Sequence, residues 1–249
     1  MNALSQARGG TGLTESNRRF YDGLWSGARL IEPQRFNTWP LVAKLCERAA
    51  RRLEVAPGLR PRLPLDGTIF LDLSAPALRA LRACDARAAN GLVGALPFVD
   101  ASFDLVCAFD IVEHVADDDT AFAELSRVAA PGAILLLSVP LHARAWNAFD
   151  DFVGHCRRYE PDALIAKLAR HAFILERSAM YGMQAKSSAL LDVGMWFLKR
   201  HPRTAMGWYN RVFMPLGLRM QKPLRWTEGM IEAQGVDEVL LVCRKGAPP

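Results

Sequence analysis

The chain has 249 residues, 51% of them hydrophobic, 23% charged and 9% aromatic, enough to bury a substantial core and better suited to one large α/β domain than to several small ones. Its net charge of +5 is spread along an arginine-rich sequence with no dense basic run interleaved with aromatics, which argues against a nucleic-acid binder. The five cysteines are scattered without a CxxC pair, so neither a disulfide framework nor a metal site is read from them, and no apolar run reaches transmembrane length.

Residues 1–15 are rich in Gly, Ser, Thr and Asn and are expected to be poorly ordered, leaving 16–249 as a single domain. No charged segment followed by an apolar core opens the chain, so no leader is expected and the default location is the cytoplasm. An aromatic stretch, FYDGLWSGARL, precedes a segment in which Leu41, Leu45 and Ala49 recur at helical spacing. Apolar strand candidates then alternate with helical patterns, the signature of a parallel sheet: RRLEVA from Arg51, TIFLDLS from Thr68, ARAANG from Ala86, FDLVCAFDI from Phe103 and AILLLSVP from Ala133. Between them, Ser74 is a good N-cap for a helix with Leu78 and Leu81 on one face. DDDTAFAELSRVA places acids in a first helical turn, where the helix dipole favours them, and PG reads as its stop. A helix from near Glu160, a sixth strand FILERSAMY and a seventh, DEVLLVCRK, complete the set. The intervening 182–235 is too long for a loop, is rich in Met, Trp and Phe, and reads as a helical insert before the last strand.

Ligands of open parallel sheets bind beyond the carboxyl ends of the strands, where the topology switches. Those positions hold Glu54, Val55, Ala56, Pro57, Gly58, Leu59 and Arg60 after the first strand, Asp72 after the second, and Phe109, Asp110, Ile111, Val112, Glu113 and His114 after the fourth. Gly58 would let the backbone approach a cofactor closely, and Asp72 could accept hydrogen bonds from two ribose hydroxyls. Each has a plainer reading, a turn glycine and a helix-capping acid; their order and spacing favour the functional one.

The run ALPFVDASFDLVCAFDIVEHVADDDTAFAELSRVAAPGAILLLSVP resembles the central block of class I S-adenosylmethionine (SAM) dependent methyltransferases of the ubiquinone/menaquinone-biosynthesis type. GHCRRYEPDAL is similar to a segment after their fifth strand, so the resemblance covers roughly residues 50 to 180. It implies a Rossmann-like α/β fold with a seven-stranded, mostly parallel sheet flanked by helices. It also implies SAM as cofactor, with Glu54, Ala56, Pro57, Gly58, Asp72, Leu73, Leu92, Val93, Phe109 and Asp110 as the cofactor-binding residues. Two departures stand out. The family's E/D-x-G-x-G-x-G loop keeps only its middle glycine, with Ala56 and Arg60 in place of the others, and PRLPLDGT replaces most of the customary first helix. Leu92 stands where family members often carry an adenine-binding Asp. Arg60 would meet the cofactor's carboxylate or remain a solvated loop residue.

Methyl transfer needs chiefly an aligned acceptor, and a base only if the acceptor must lose a proton. His142 and His155, near the expected acceptor position, are the candidate catalytic bases, although hydrogen bonding to loop backbone is the stronger reading of both. His114 is read as steadying its loop, and Arg157, Arg158 and Tyr159 as anchoring the next helix. No metal is expected. The insert's aromatic and Met residues would roof a pocket for a small, hydrophobic or aromatic methyl acceptor, with no nucleic acid or membrane partner and with a homodimer left open. A catalytically degenerate methyltransferase fold that binds a ligand or partner is the alternative, supported by the altered glycine loop. An NAD(P) oxidoreductase would need a GxGxxG, which is absent.

Overall fold

The computed structural model describes residues 18, 21–182, 196–197 and 200–246. The expectation for residues 1–15 lies outside them, as do Met183 and Met195 of the insert.

Five strands form the parallel part of the sheet: β1 (Arg52–Val55), β2 (Thr68–Asp72), β3 (Arg87–Asn90), β4 (Phe103–Phe109) and β5 (Ala129–Pro140). Three more follow, β6 (Phe173–Met180), β7 (Trp226–Glu228) and β8 (Glu238–Lys245), and the spatial order is β3-β2-β1-β4-β5-β8-β6-β7. β8 is antiparallel to both β5 and β6, and β7 is antiparallel to β6. The order reverses between β1 and β4, so the crevice between their carboxyl ends is the topological switch point.

Helices α1 (Trp39–Cys46), α2 (Ala75–Arg82), α3 (Asp118–Val128), α4 (Ala148–Val153) and α5 (Pro161–Arg170) accompany the sheet. Successive residues of the central strands serve opposite layers, as the period of two requires. Val106 and Ala108 of β4 join Phe122 and Leu125 of α3, whereas Leu105 and Cys107 join Leu41 and Val42 of α1. Each fully buried Leu of this kind contributes about 1.5–3 kcal/mol. Ser74 caps α2 by accepting from the Ala77 N–H, and Asp117 caps α3 by accepting from the Thr120 N–H.

Two expectations are corrected. Among the described residues the sheet has eight strands rather than seven, because Trp226–Glu228, inside the segment read as helical, pairs with Arg177–Ala179 at the sheet edge. The Pro131-Gly132 pair does not stop α3. The helix passes directly into β5 at Ala129, and the pair forms an exposed excursion of that strand, with Gly132 at φ 78 while the partner register slips between Phe103 and Leu105. The rest of the described insert is helical as expected, in α6 (Pro202–Trp208), a π-helical turn Tyr209–Phe213 and α7 (Met214–Met220). β1 and β2 are joined with no helix between them, as the two prolines there predict. No helix among the described residues is long and apolar enough to cross a membrane.

Candidate functional site

A cavity of about 940 Å³ opens at the switch point. Of the sequence-predicted residues, Ala56, Asp72, Leu73, Leu92, Val93 and Asp110 line it. Glu54, Pro57, Gly58 and Phe109 stand behind the lining. Gly58 and Glu54 build the loop that shapes the cavity wall. The Gly58 N–H donates to Asp72 Oδ2 at 2.9 Å, and the Ser74 N–H donates to Oδ1 at 2.7 Å. Burial raises the Asp72 carboxyl above its usual range against the pull of these backbone donors. Glu54 points the other way, accepting from the Arg62 and Leu63 N–H groups and so tying down the loop that replaces the missing helix. Burial pushes its carboxyl up to about 7. Phe109 packs edge-on against Tyr181, 5.5 Å between centroids.

One wall is a tight turn in which Leu92 and Ala95 form an isolated bridge, presenting Leu92 partly exposed and Val93 buried. At the opposite wall Asp110 adopts φ 50, accepts a 2.6 Å hydrogen bond from Ser138 Oγ and lies beside Glu238. Burial, the Asp110 charge and a hydrogen bond with Asp110 push the Glu238 carboxyl well above the carboxylate range.

Sequence reasoning missed the roof. Residues 21–25 are helical, and Tyr21 and Trp25 line the cavity with their rings stacked at 6.3 Å. The Tyr21 hydroxyl meets His114 Nε2 at 3.0 Å, and Asp22 accepts from Ser74 Oγ at 2.8 Å. The aromatic run FYDGLW was the available signal, but its partners lie far away in sequence. Arg60 is half-buried and outside the cavity lining. Its guanidinium lies 5.0 Å from the Trp25 and Tyr209 rings, donates to the Tyr209 hydroxyl, and keeps a buried Nη2 with no hydrogen-bond partner among the described residues. The described insert therefore braces the roof through Tyr209, and none of its residues lines the cavity.

The histidines separate. His142 is outside the lining, its Nε2 at 2.7 Å from the Ala233 carbonyl and its Nδ1 at 3.5 Å from Glu160. His155 is brought to the cavity's edge through His114, 4.7 Å away ring to ring, and its Nδ1 is held by Asp150 at 2.7 Å. His114 lines the cavity and is kept neutral by burial first and by His155 second, with its pKa lowered to about 3. Glu113 is fully buried beside them, its carboxyl driven well above the usual range by burial and by Asp110. Arg157 pairs with Asp118 and donates to the Ala116 carbonyl, while Arg158 bridges Asp150 and Asp237, so both act as anchors.

A protein-family model described as a methyltransferase domain matches residues 61–137. A norajmaline N-methyltransferase from Rauvolfia serpentina is 50% identical over 44 residues, a stretch that covers 17% of this chain and only 15% of that protein. A solved SAM-dependent methyltransferase from Thermotoga maritima superposes with TM-score 0.56 at 16% identity, covering 84% of this chain and 87% of its own. A phosphoethanolamine N-methyltransferase of Haemonchus contortus, solved with phosphomonomethylethanolamine and S-adenosylhomocysteine, gives TM-score 0.56 at 16% identity over 93% of this chain and 58% of its own. The chain thus has the class I methyltransferase fold, and residues 61–137 are its methyltransferase domain match.

Proposed function

We propose that the protein is a SAM-dependent methyltransferase acting on a small molecule. The observation that carries the reading is Asp72, a buried acid at the end of β2 that faces a cavity at the switch point of this fold. Each of its oxygens already accepts one backbone N–H, and each retains a lone pair for a ribose hydroxyl. The residues present fit the rest of the cofactor. Leu92 and Val93 offer an apolar face to an adenine, and the orphaned Nη2 of Arg60 is a donor suited to a carboxylate once Trp25 shifts.

When bound, SAM supplies an electrophilic methyl group on a sulfonium. The chain's part is to hold and enclose. Asp72 fixes the ribose, the Tyr21–Trp25 roof excludes water, and Asp110 with its Ser138 hydrogen bond presents negative charge at the far wall. The enclosed aromatic roof supports a small acceptor with hydrophobic or aromatic character, as does the small-molecule acceptor in the name of the Rauvolfia relative. His142, held between Ala233 and Glu160, has no proton-transfer role in this scheme.

Calorimetric titration with SAM and with S-adenosylhomocysteine tests the proposal. Binding of both is expected, weakened at least tenfold in Asp72→Asn, which keeps one acceptor oxygen and so spares the loop better than alanine. Silence of both ligands at millimolar concentration would refute it.

A further inference from the structure

Beside the cavity, where His114 lines it, three side chains gather whose atoms could hold a metal ion. Glu113 and His114 sit in a short turn, Val112–His114, directly after β4, and His155 follows α4 and its left-handed cap Gly154. The Cys156 N–H donates to the Glu113 carbonyl at 2.7 Å, which pins the two segments together. One ligand-capable atom from each of Glu113, His114 and His155 lies within 4.8 Å of the other two. Both histidines are oriented through Nδ1, His114 by the Gly154 carbonyl at 3.2 Å and His155 by Asp150 at 2.7 Å. That arrangement, an acceptor behind each ring, is how metal-ligating histidines are held with Nε2 turned to the ion.

The second observation is Glu113 itself. It is fully buried, and neither carboxylate oxygen has a hydrogen-bond partner among the described residues. His155 Nε2 lies 3.9 Å from its Oε1. A buried carboxylate left unsatisfied costs several kcal/mol unless a cation or donor meets it.

We propose that Glu113, His114 and His155 bind one divalent transition-metal ion of the zinc class, at the acceptor end of the cavity. Two imidazoles and one carboxylate form a three-ligand set that leaves a position open for water or an acceptor atom. Ligand distances of about 2.0–2.2 Å require the three groups to close by roughly an ångström, and the His114–Tyr21 hydrogen bond to yield to the ion. A metal-bound His155 Nε2 cannot also take a proton, so the ligand role replaces the base role read from the sequence. An acceptor oxygen or nitrogen bound at the open position would be held beside the methyl donor and lose its proton more readily.

The test uses the full chain after chelator treatment, without SAM. Zn²⁺ titrated by calorimetry is expected to bind at one equivalent with micromolar or tighter affinity, and Co²⁺ to develop visible absorption bands of four- or five-coordinate geometry. Glu113→Gln and His155→Asn should each weaken Zn²⁺ about a hundredfold, and Asp150→Asn about tenfold through the ring it orients. Mg²⁺, which prefers oxygen ligands, should give no heat at this site. Zn²⁺ binding that is absent, or unchanged in Glu113→Gln and His155→Asn, overturns the inference. Where a variant loses its folded circular dichroism, the wild-type Co²⁺ spectrum decides, and an octahedral, water-like spectrum overturns it. This outcome is separate from that of the methyl-transfer reading, which stands or falls on SAM and Asp72.

Discussion

Ala56 and Gly58 share a backbone torsion, φ 55, two residues apart in the same loop, and only one of them carries a methyl group. At Ala56 the left-handed conformation is held although it disfavours any L side chain by about 1–2 kcal/mol. At Gly58 the restriction is twofold, because a Cβ there would lie 2.2 Å from Trp25 Cζ2 as well as in the disfavoured region. The sequence suggests that Gly58 lets a cofactor approach; in the structure the approaching group is a tryptophan of the roof. Gly58→Ala is therefore expected to lower the unfolding free energy by about 1–3 kcal/mol and to dislodge Trp25. Urea unfolding of the single variants and of Gly58→Ala/Trp25→Ala measures it. Removing the ring should recover part of the loss, and strict additivity would show that the clash is not what limits the site.

At the scale of the element, the connection between β1 and β2 does the work of a helix with a single buried carboxylate. Glu54 receives the Arg62 and Leu63 N–H groups and is held at about 7 by burial. Folding thus favours its protonated form. Its contribution to stability is full below the unfolded carboxyl value of 4.5 and declines as pH rises through about 7. Between pH 5 and 8 the wild-type chain should lose about 2.5 kcal/mol on this account. Glu54→Gln, which cannot ionise, should show a correspondingly flatter profile in denaturant melts at the two pH values. Comparing slopes within each chain cancels any fixed loss from the changed hydrogen bonds. The same element marks what a sequence can reveal. Two prolines and the short span between Glu54 and Asp72 foretell the absent helix, because proline acts locally. The Pro131-Gly132 pair misleads for a related reason, since local turn chemistry cannot distinguish a helix stop from an excursion inside a strand. β7 is hidden because only the edge of β6 gives Trp226–Glu228 a partner.

Across the whole molecule, the central α/β layers were legible and the site only in half. Apolar alternation and helix caps are local, so β1 to β5 and their helices emerge in order from the chain. Asp72 and Asp110 follow from strand ends by the switch-point rule, whereas Leu92 and Val93 come from the family resemblance. The roof follows from no such rule, because its contacts join residues 21–25 to positions 58, 74, 114 and 210. It is attached to the layers by Tyr21 on His114 and Asp22 on Ser74, and to the insert by the Leu24 carbonyl accepting from Asn210. Arg60, lying between the Trp25 and Tyr209 rings, couples roof, loop and insert. Tyr21 and Trp25 wall part of the cavity, so whatever braces this segment is expected to slow the escape of a bound ligand. Tyr209 does not line the cavity, yet it is one side of that brace. Tyr209→Ala removes the ring beneath Arg60 and its hydroxyl acceptor while leaving Asp72 and the Leu92–Ala95 turn intact. It is expected to raise the SAM dissociation rate roughly tenfold, the equivalent of about 1.4 kcal/mol, with the association rate changed little. Stopped-flow displacement of SAM by excess S-adenosylhomocysteine, read from tryptophan emission, measures that rate. A dissociation rate equal to that of the wild type would mean that the insert does not latch the roof, and that Tyr21 and Asp22 hold it without help.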